Sequence, residues 1–175
     1  MIRMPHSALA LALAAVALAG CLDAEVKASR VCASEGGAVF APGGSGTISV
    51  DFEIDLSGVI PDLGGSGISG TVLMQQVQVS STSDLFGIET LTVAARSSTP
   101  GEPPIPLSCD YQRPASGPVY KIVAPCTGPN LFDYVSSQVL ALTLTASGGS
   151  LPAPPLTAEV GSCLSLELKI DYTEL

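Results

Sequence analysis

Few side chains in this 175-residue sequence are equipped for acid–base, nucleophilic or metal chemistry. There is one histidine, His6, and no tryptophan. The cysteines are Cys21, Cys32, Cys109, Cys126 and Cys163. The sharpest polar constellation is Asp51, Glu53 and Asp55, which alternate with apolar Ile48, Val50, Phe52, Ile54 and Leu56. Residues spaced by two along a strand share a face and stand roughly 7 Å apart. A calcium ion with oxygen ligands at about 2.4 Å could bridge two of these carboxylates only with help from a loop, for which Asp62 is the candidate. The plainer reading is a solvated strand face whose charges discourage edge-to-edge pairing. On that reading no metal and no cofactor is expected.

The N-terminus carries an address. Arg3 and His6 supply a short positively charged start, and Ser7 to Ala19 is then almost continuous Ala, Leu and Val. An apolar core of about 12 residues falls well short of the roughly 20 that cross a bilayer as a helix. A charged start, a short apolar middle and small residues before a cut site describe an export signal. The run ends in Leu18-Ala19-Gly20-Cys21, where an ordinary secretory peptide would end in an A-x-A-like site. This stretch resembles the lipobox of bacterial lipoproteins, and the resemblance covers Met1 to Cys21. It implies cleavage before Cys21, acyl chains on that cysteine, and a domain held to a membrane of the cell envelope. Leu22, where Asp would imply inner-membrane retention, implies the outer membrane. The rival is a plain signal peptide followed by a coincidental cysteine. Residues 1–20 are then a signal peptide, residues 21–30 a lipidated tether, and residues 31–175 one domain.

Export removes chemistry as well as residues. His6 leaves with the leader, so the mature chain has no Ser-His-Asp or Cys-His pair and no histidine-ligated metal. Ser-Lys catalysis by Lys27, Lys121 or Lys169 has no supporting motif. A two-carboxylate glycosidase needs only Asp and Glu, but such clefts are usually floored by aromatic rings, and the missing Trp also weighs against carbohydrate binding. The expectation is a protein without catalytic activity. Of 7 Lys and Arg only Arg3 is lost while all 16 Asp and Glu remain, leaving 6 against 16, a balance of −10. Without a basic cluster there is no counterion release to drive nucleic-acid binding and no attraction to anionic headgroups. The membrane is contacted through the acyl anchor.

Four cysteines remain, an even number that in an exported chain reads as disulfides. Of the three possible pairings, the one expected joins Cys32 with Cys163 and Cys109 with Cys126. In a symmetric hairpin Cys109 would face about position 122, so the second bond needs an asymmetric loop. A zinc site, the rival, lacks close C-x-x-C spacing and any His.

The remaining pattern is that of strands and turns. Thr47 to Leu56 and Cys163 to Tyr172 alternate cleanly, one face apolar and one polar. Thr71 to Ser80, with a bulge or a portion buried on both sides near Val72 to Met74, Ile88 to Ala95, Leu107 to Gln112, Pro118 to Val123 and Gln138 to Ala146 read as further strands. Ala38 to Ala41 reads as an edge strand bracketed by glycines, and Asn130 as the cap of a helical turn over Leu131 to Val135. The fold class expected is an all-β, seven- or eight-stranded antiparallel sandwich of Greek-key type. Long proline-rich connections such as residues 97–106 favour it over an up-and-down barrel. Its function is expected to be binding of an envelope protein partner, or a structural contribution, with Tyr111, Tyr120 and Tyr134 as candidates for a recognition surface. The alternatives are a carrier of lipid or another hydrophobic ligand in an apolar groove and, third, a hydrolase.

Overall fold

Alternation decides the first element without ambiguity. In β2 (Thr47–Asp55) Ile48, Val50, Phe52 and Ile54 are all buried, while Asp51, Glu53 and Asp55 face solvent. The computed structural model describes residues 23–43, 46–60, 67–99, 101–151 and 155–171. The lipobox, Cys21 and Asp62 lie outside the described residues. The other strands are β1 (Asp23–Pro42), β3 (Ile68–Ser80), β4 (Thr90–Ala95), β5 (Ile105–Cys109), β6 (Lys121–Thr127), β7 (Val135–Ser136), β8 (Val139–Ser147) and β9 (Leu156–Asp171). A 3₁₀ turn covers Phe132–Tyr134.

All pairings are antiparallel, in the order β2-β1-β9-β3-β6-β5-β4-β8, and β8 pairs again with β2. The sheet therefore closes on itself as an eight-stranded barrel, with β7 added as a short hairpin arm on β8. This corrects the sandwich. Connections do skip neighbours, from β2 to β3, β3 to β4, β6 to β8 and β8 to β9, as a Greek-key arrangement would require. What the sequence pattern misses is that β1 and β6 each serve both halves of the sheet. β1 follows β9 along most of its length and then reaches β2 through Ala41 and Pro42. β6 pairs with β3 through Lys121 to Pro125 and with β5 through Cys126 and Thr127. Closure removes the sheet edges that a sandwich would leave open.

Residues 23–30, expected as a tether, are instead the first part of β1, with Val26 opposite Leu168 and Ala28 opposite Leu166. Their apolar members alternate with Glu25 and Lys27, a pattern too short and polar to be recognised before β9 is known to lie beside it. The apparent break at Gly36-Gly37 is a bulge rather than a turn. Register shifts there between Glu35 and Ala38, and Gly37 holds φ +77°, the left-handed conformation that such bulges reserve for glycine. The bulge expected in β3 falls at Gln75, between Met74 and Gln76.

The interior is filled by the strands' own side chains. Phe40, Ile54, Ile122, Leu140, Leu142, Leu144 and Leu164 are among the fully buried. At one end, near Asp23, Leu56 and Leu131 close the core. At the other, Leu85 and Ile88 do so. Asn130 sets the first plug. Its Oδ1 accepts from Val72 N–H (2.8 Å) and Phe132 N–H (3.0 Å), and its Nδ2 donates to Gly70 O (2.8 Å). Both expected disulfides are present, Cys32–Cys163 and Cys109–Cys126, each between directly opposed residues of neighbouring strands.

Candidate functional site

On β8 two shorter elements meet end to end. β4 pairs with Leu142 to Ser147, and β7 pairs with Val139 and Leu140. Between them β4 turns away at Arg96, whose N–H still donates to Ala141 O (2.9 Å). The gap left on the outer surface is an open cleft of about 430 Å³, within the size range of small-molecule sites. Its floor is Val139 and Ala141 of β8. Glu53, directly opposite Ala141 on β2, forms one side. Arg96, Ser97 and Ser98 form the second, and Tyr134, Ser136 and Ser137 the third. Ala141 is small, which gives the cleft its depth.

The polar groups divide into those the fold uses and those it does not. Arg96 Nη1 meets Asp51 Oδ2 at 3.2 Å, and Thr143 donates to Asp51 Oδ1 at 2.6 Å. Ser97 donates to Glu102 and accepts from Thr99 N–H. Arg96 Nε, by contrast, is buried without an acceptor, and leaving a buried donor unmet costs about 1–3 kcal/mol. Glu53 and the hydroxyls of Ser98, Ser136 and Ser137 have no partner among the described residues.

The turn beneath the cleft is unusual. Ser136 and Val139 pair, so Ser137 and Gln138 alone make the β7–β8 hairpin loop, at φ 48° and 64°. Two-residue hairpins with positive φ at both positions normally use Asn-Gly or Asp-Gly. Gln138 has a structural reason to be there. Its Nε2 donates to Ile60 O (2.5 Å), and its carbonyl accepts from Leu56 N–H (2.7 Å). Ser137 has none, yet holds a conformation that costs about 1–3 kcal/mol.

The sequence-derived candidates disperse. Asp51, Glu53 and Asp55 do share a face, but each has a separate setting. Asp51 is held by Arg96 and Thr143, Glu53 faces the cleft, and Asp55 accepts from Ser57 N–H at 2.8 Å. Hydrogen bonding from Ser57, hydroxyl first and then backbone N–H, lowers the Asp55 carboxyl below its ordinary 3.8. Asp51, Glu53 and Asp55 by themselves do not converge as a calcium site, and Asp62, the loop residue that would have to help them, lies outside the described residues. Among the described residues no three His, Cys, Asp or Glu side chains converge on one point. Tyr111, Tyr120 and Tyr134 likewise form no common surface. Tyr111 is partly buried against the core, its hydroxyl enclosed without a partner. Burial raises its pKa above 10.0, with Arg113 pulling the other way. Tyr120 is 53% exposed at the barrel end far from Asp23, and Tyr134 lines the cleft.

Sequence reasoning missed Arg96, Ser97, Ser98, Ser136 and Ser137. No motif marks them, because the cleft arises only where β4 and β7 share β8. Among the described residues no helix is long and apolar enough to cross a membrane. No protein-family model, curated protein or solved structure matches this chain.

Proposed function

We propose that the chain is a non-catalytic lipoprotein of the bacterial cell envelope, acylated at Cys21 and carried to the outer membrane, that binds a protein partner. The observation that carries the reading is where apolar surface is left exposed. Among the described residues the exposed large apolar side chains are Val39 (54%), Tyr120 (53%) and Val123 (47%). Val39 lies opposite Thr157, Ser81 Oγ donates to Thr157 O, and Ser81 N–H donates to Tyr120 O. Val39 and Val123 lie on the outer surface of β1 and β6, and Tyr120 sits at the rim just before β6, all towards the end remote from Asp23. Apolar side chains confined to one end of the barrel favour protein contact there.

The anchor gives that face a direction. With residues 23–30 committed to β1, only Leu22 separates Cys21 from the barrel. Two residues of extended chain reach about 7 Å at most. A lipid on Cys21 therefore seats the Asp23 end at the bilayer and turns the Tyr120 end away from it. The carrier alternative draws no comparable support, since the apolar interior is occupied by Leu, Val, Ile and Phe of the strands themselves.

Two measurements test this. Mass spectrometry of the mature chain should find acyl chains on Cys21; a bare thiol or a retained leader removes the anchor. A photo-crosslinking residue at position 120, used in intact cells, should give a predominant protein adduct that Val39→Ser weakens. Adducts no stronger than those from position 92, on the opposite outer face, would remove the partner surface.

A further inference from the structure

The cleft between β4 and β7 holds hydrogen-bonding groups that the fold itself leaves idle. The Arg96 side chain is 39% exposed, spends Nη1 on Asp51, and leaves Nη2 without a partner among the described residues. Glu53 is an acceptor without a donor, and Ser98, Ser136 and Ser137 offer hydroxyls that can act as either. Ser137 is the most telling, because glycine would hold its φ of 48° without strain. A side chain kept at a backbone cost, with no structural partner, points outward to something it contacts.

An unmet donor, an unmet acceptor and hydroxyls of both kinds require a ligand dense in both donors and acceptors. Charge narrows the class. Asp51, Glu53 and Asp55 share one face of β2 and Glu102 bonds Ser97, against the single guanidinium of Arg96 in the lining. Anionic ligands are repelled, and Arg96 opposes a simple cation. The charged Glu53 and Arg96 in the lining disfavour a lipid chain, while Val139, Ala141 and Tyr134 supply an apolar strip suited to the C–H face of a sugar ring. The cleft is open to solvent, so a saccharide longer than the site can extend beyond it. We propose that this cleft binds an uncharged saccharide, with Glu53 and Arg96 gripping its hydroxyls and Ser137 completing the contact. The missing tryptophan counts against a site built on ring stacking. Here hydrogen bonds supply the recognition, and Tyr134 is the one ring among the lining residues.

The proposal stands apart from the protein-binding face at the other end, so crosslinking at position 120 neither supports nor harms it. The test is calorimetric titration of the mature lipidated chain in phosphatidylcholine nanodiscs. The probes are maltotetraose and tetra-N-acetylchitotetraose, with tetragalacturonate as the acidic control. At least one neutral tetrasaccharide should bind with an affinity unchanged by added salt. Glu53→Gln and Ala141→Leu should each weaken it about tenfold or more. Ser137→Gly should weaken binding while raising the melting temperature, a split that a purely structural serine would not produce. No heat from either neutral probe at millimolar concentration, tighter binding of tetragalacturonate, or affinity unmoved by Glu53→Gln and Ala141→Leu would overturn it.

Discussion

Cys109 and Cys126 face each other across the shorter of the two disulfide-bridged seams in this barrel, their Cα atoms 4.0 Å apart. β5 and β6 pair at only two positions, Ser108 with Thr127 and Cys109 with Cys126, and Asp110 N–H extends the contact to Pro125 O. Cys32 and Cys163 are also directly opposed, but within a ladder that runs the length of β1 and β9. One disulfide closes the barrel, and the other reinforces strands already joined.

The two bonds should therefore fail differently. In the chain-entropy model, losing Cys109–Cys126, 17 positions apart, costs about 3 kcal/mol, and losing Cys32–Cys163, 131 apart, costs nearly 5 kcal/mol. Cys109→Ser with Cys126→Ser should also speed amide exchange selectively at Asp110 and its β5 and β6 neighbours. Cys32→Ser with Cys163→Ser should lower global stability while β1–β9 protection persists relative to the rest. Equal, uniform exchange in both variants would refute the distinction.

Ser162 is wholly buried on the inner face between Ala33 and Val77, and its hydroxyl has no partner. Ser162→Ala removes that desolvated group and little volume. It should stabilise the protein by about 1 kcal/mol in urea melts. A loss of stability would mean that the hydroxyl is in fact satisfied.

At the end remote from Asp23, the chain passes itself at backbone distance. A Cβ on Gly148 would lie 1.9 Å from Gly87 O, and one on Gly87 would lie 1.7 Å from Ser150 O. Neither obstacle is a side chain that could rotate away. Gly148→Ala should cost about 2 kcal/mol or more through forced backbone movement, read as a fall in melting temperature. An unchanged melting curve would show that these loops separate easily.

Acid stability should register Asp55. Its carboxyl titrates below the ordinary 3.8 because Ser57 donates to the ionised form. A folded-state pKa below the unfolded one gives stability that is complete above 3.8 and lost as pH falls through the lower, folded value. Asp55→Asn should therefore lower stability slightly at neutral pH, leave it unchanged below the folded-state pKa, and so flatten the acid limb of the stability–pH curve between the two. An acid limb with undiminished slope would assign it to other carboxylates.

Legibility in the sequence followed burial geometry. Thr47 to Leu56 and the second half of β9 could be read directly, since each has one wet and one dry face. The first half of β9 and the start of β1 could not. Their patterns are interrupted by Gly161 and diluted by Glu25, Lys27 and Arg30, and each is held mainly by the other. β5 and β6 were displaced by a few residues because an asymmetric excursion over 110–120, not a tight hairpin, joins them. That same asymmetry lets Cys126, rather than a residue near 122, oppose Cys109.

The sequence by itself determined an all-β chain, the inward set of β2, four cysteines beyond Cys21 in a stretch without histidine, and an N-terminal stretch that resembles a lipobox. These are properties of neighbouring residues, and short-range alternation or composition is enough to express them. Closure into a barrel, the absorption of residues 23–30 into β1, and the cleft joining Glu53, Arg96 and Ser137 were decided only by tertiary structure. Each depends on which strands become neighbours, and that choice is made by the packing of the whole interior rather than by any single stretch of chain.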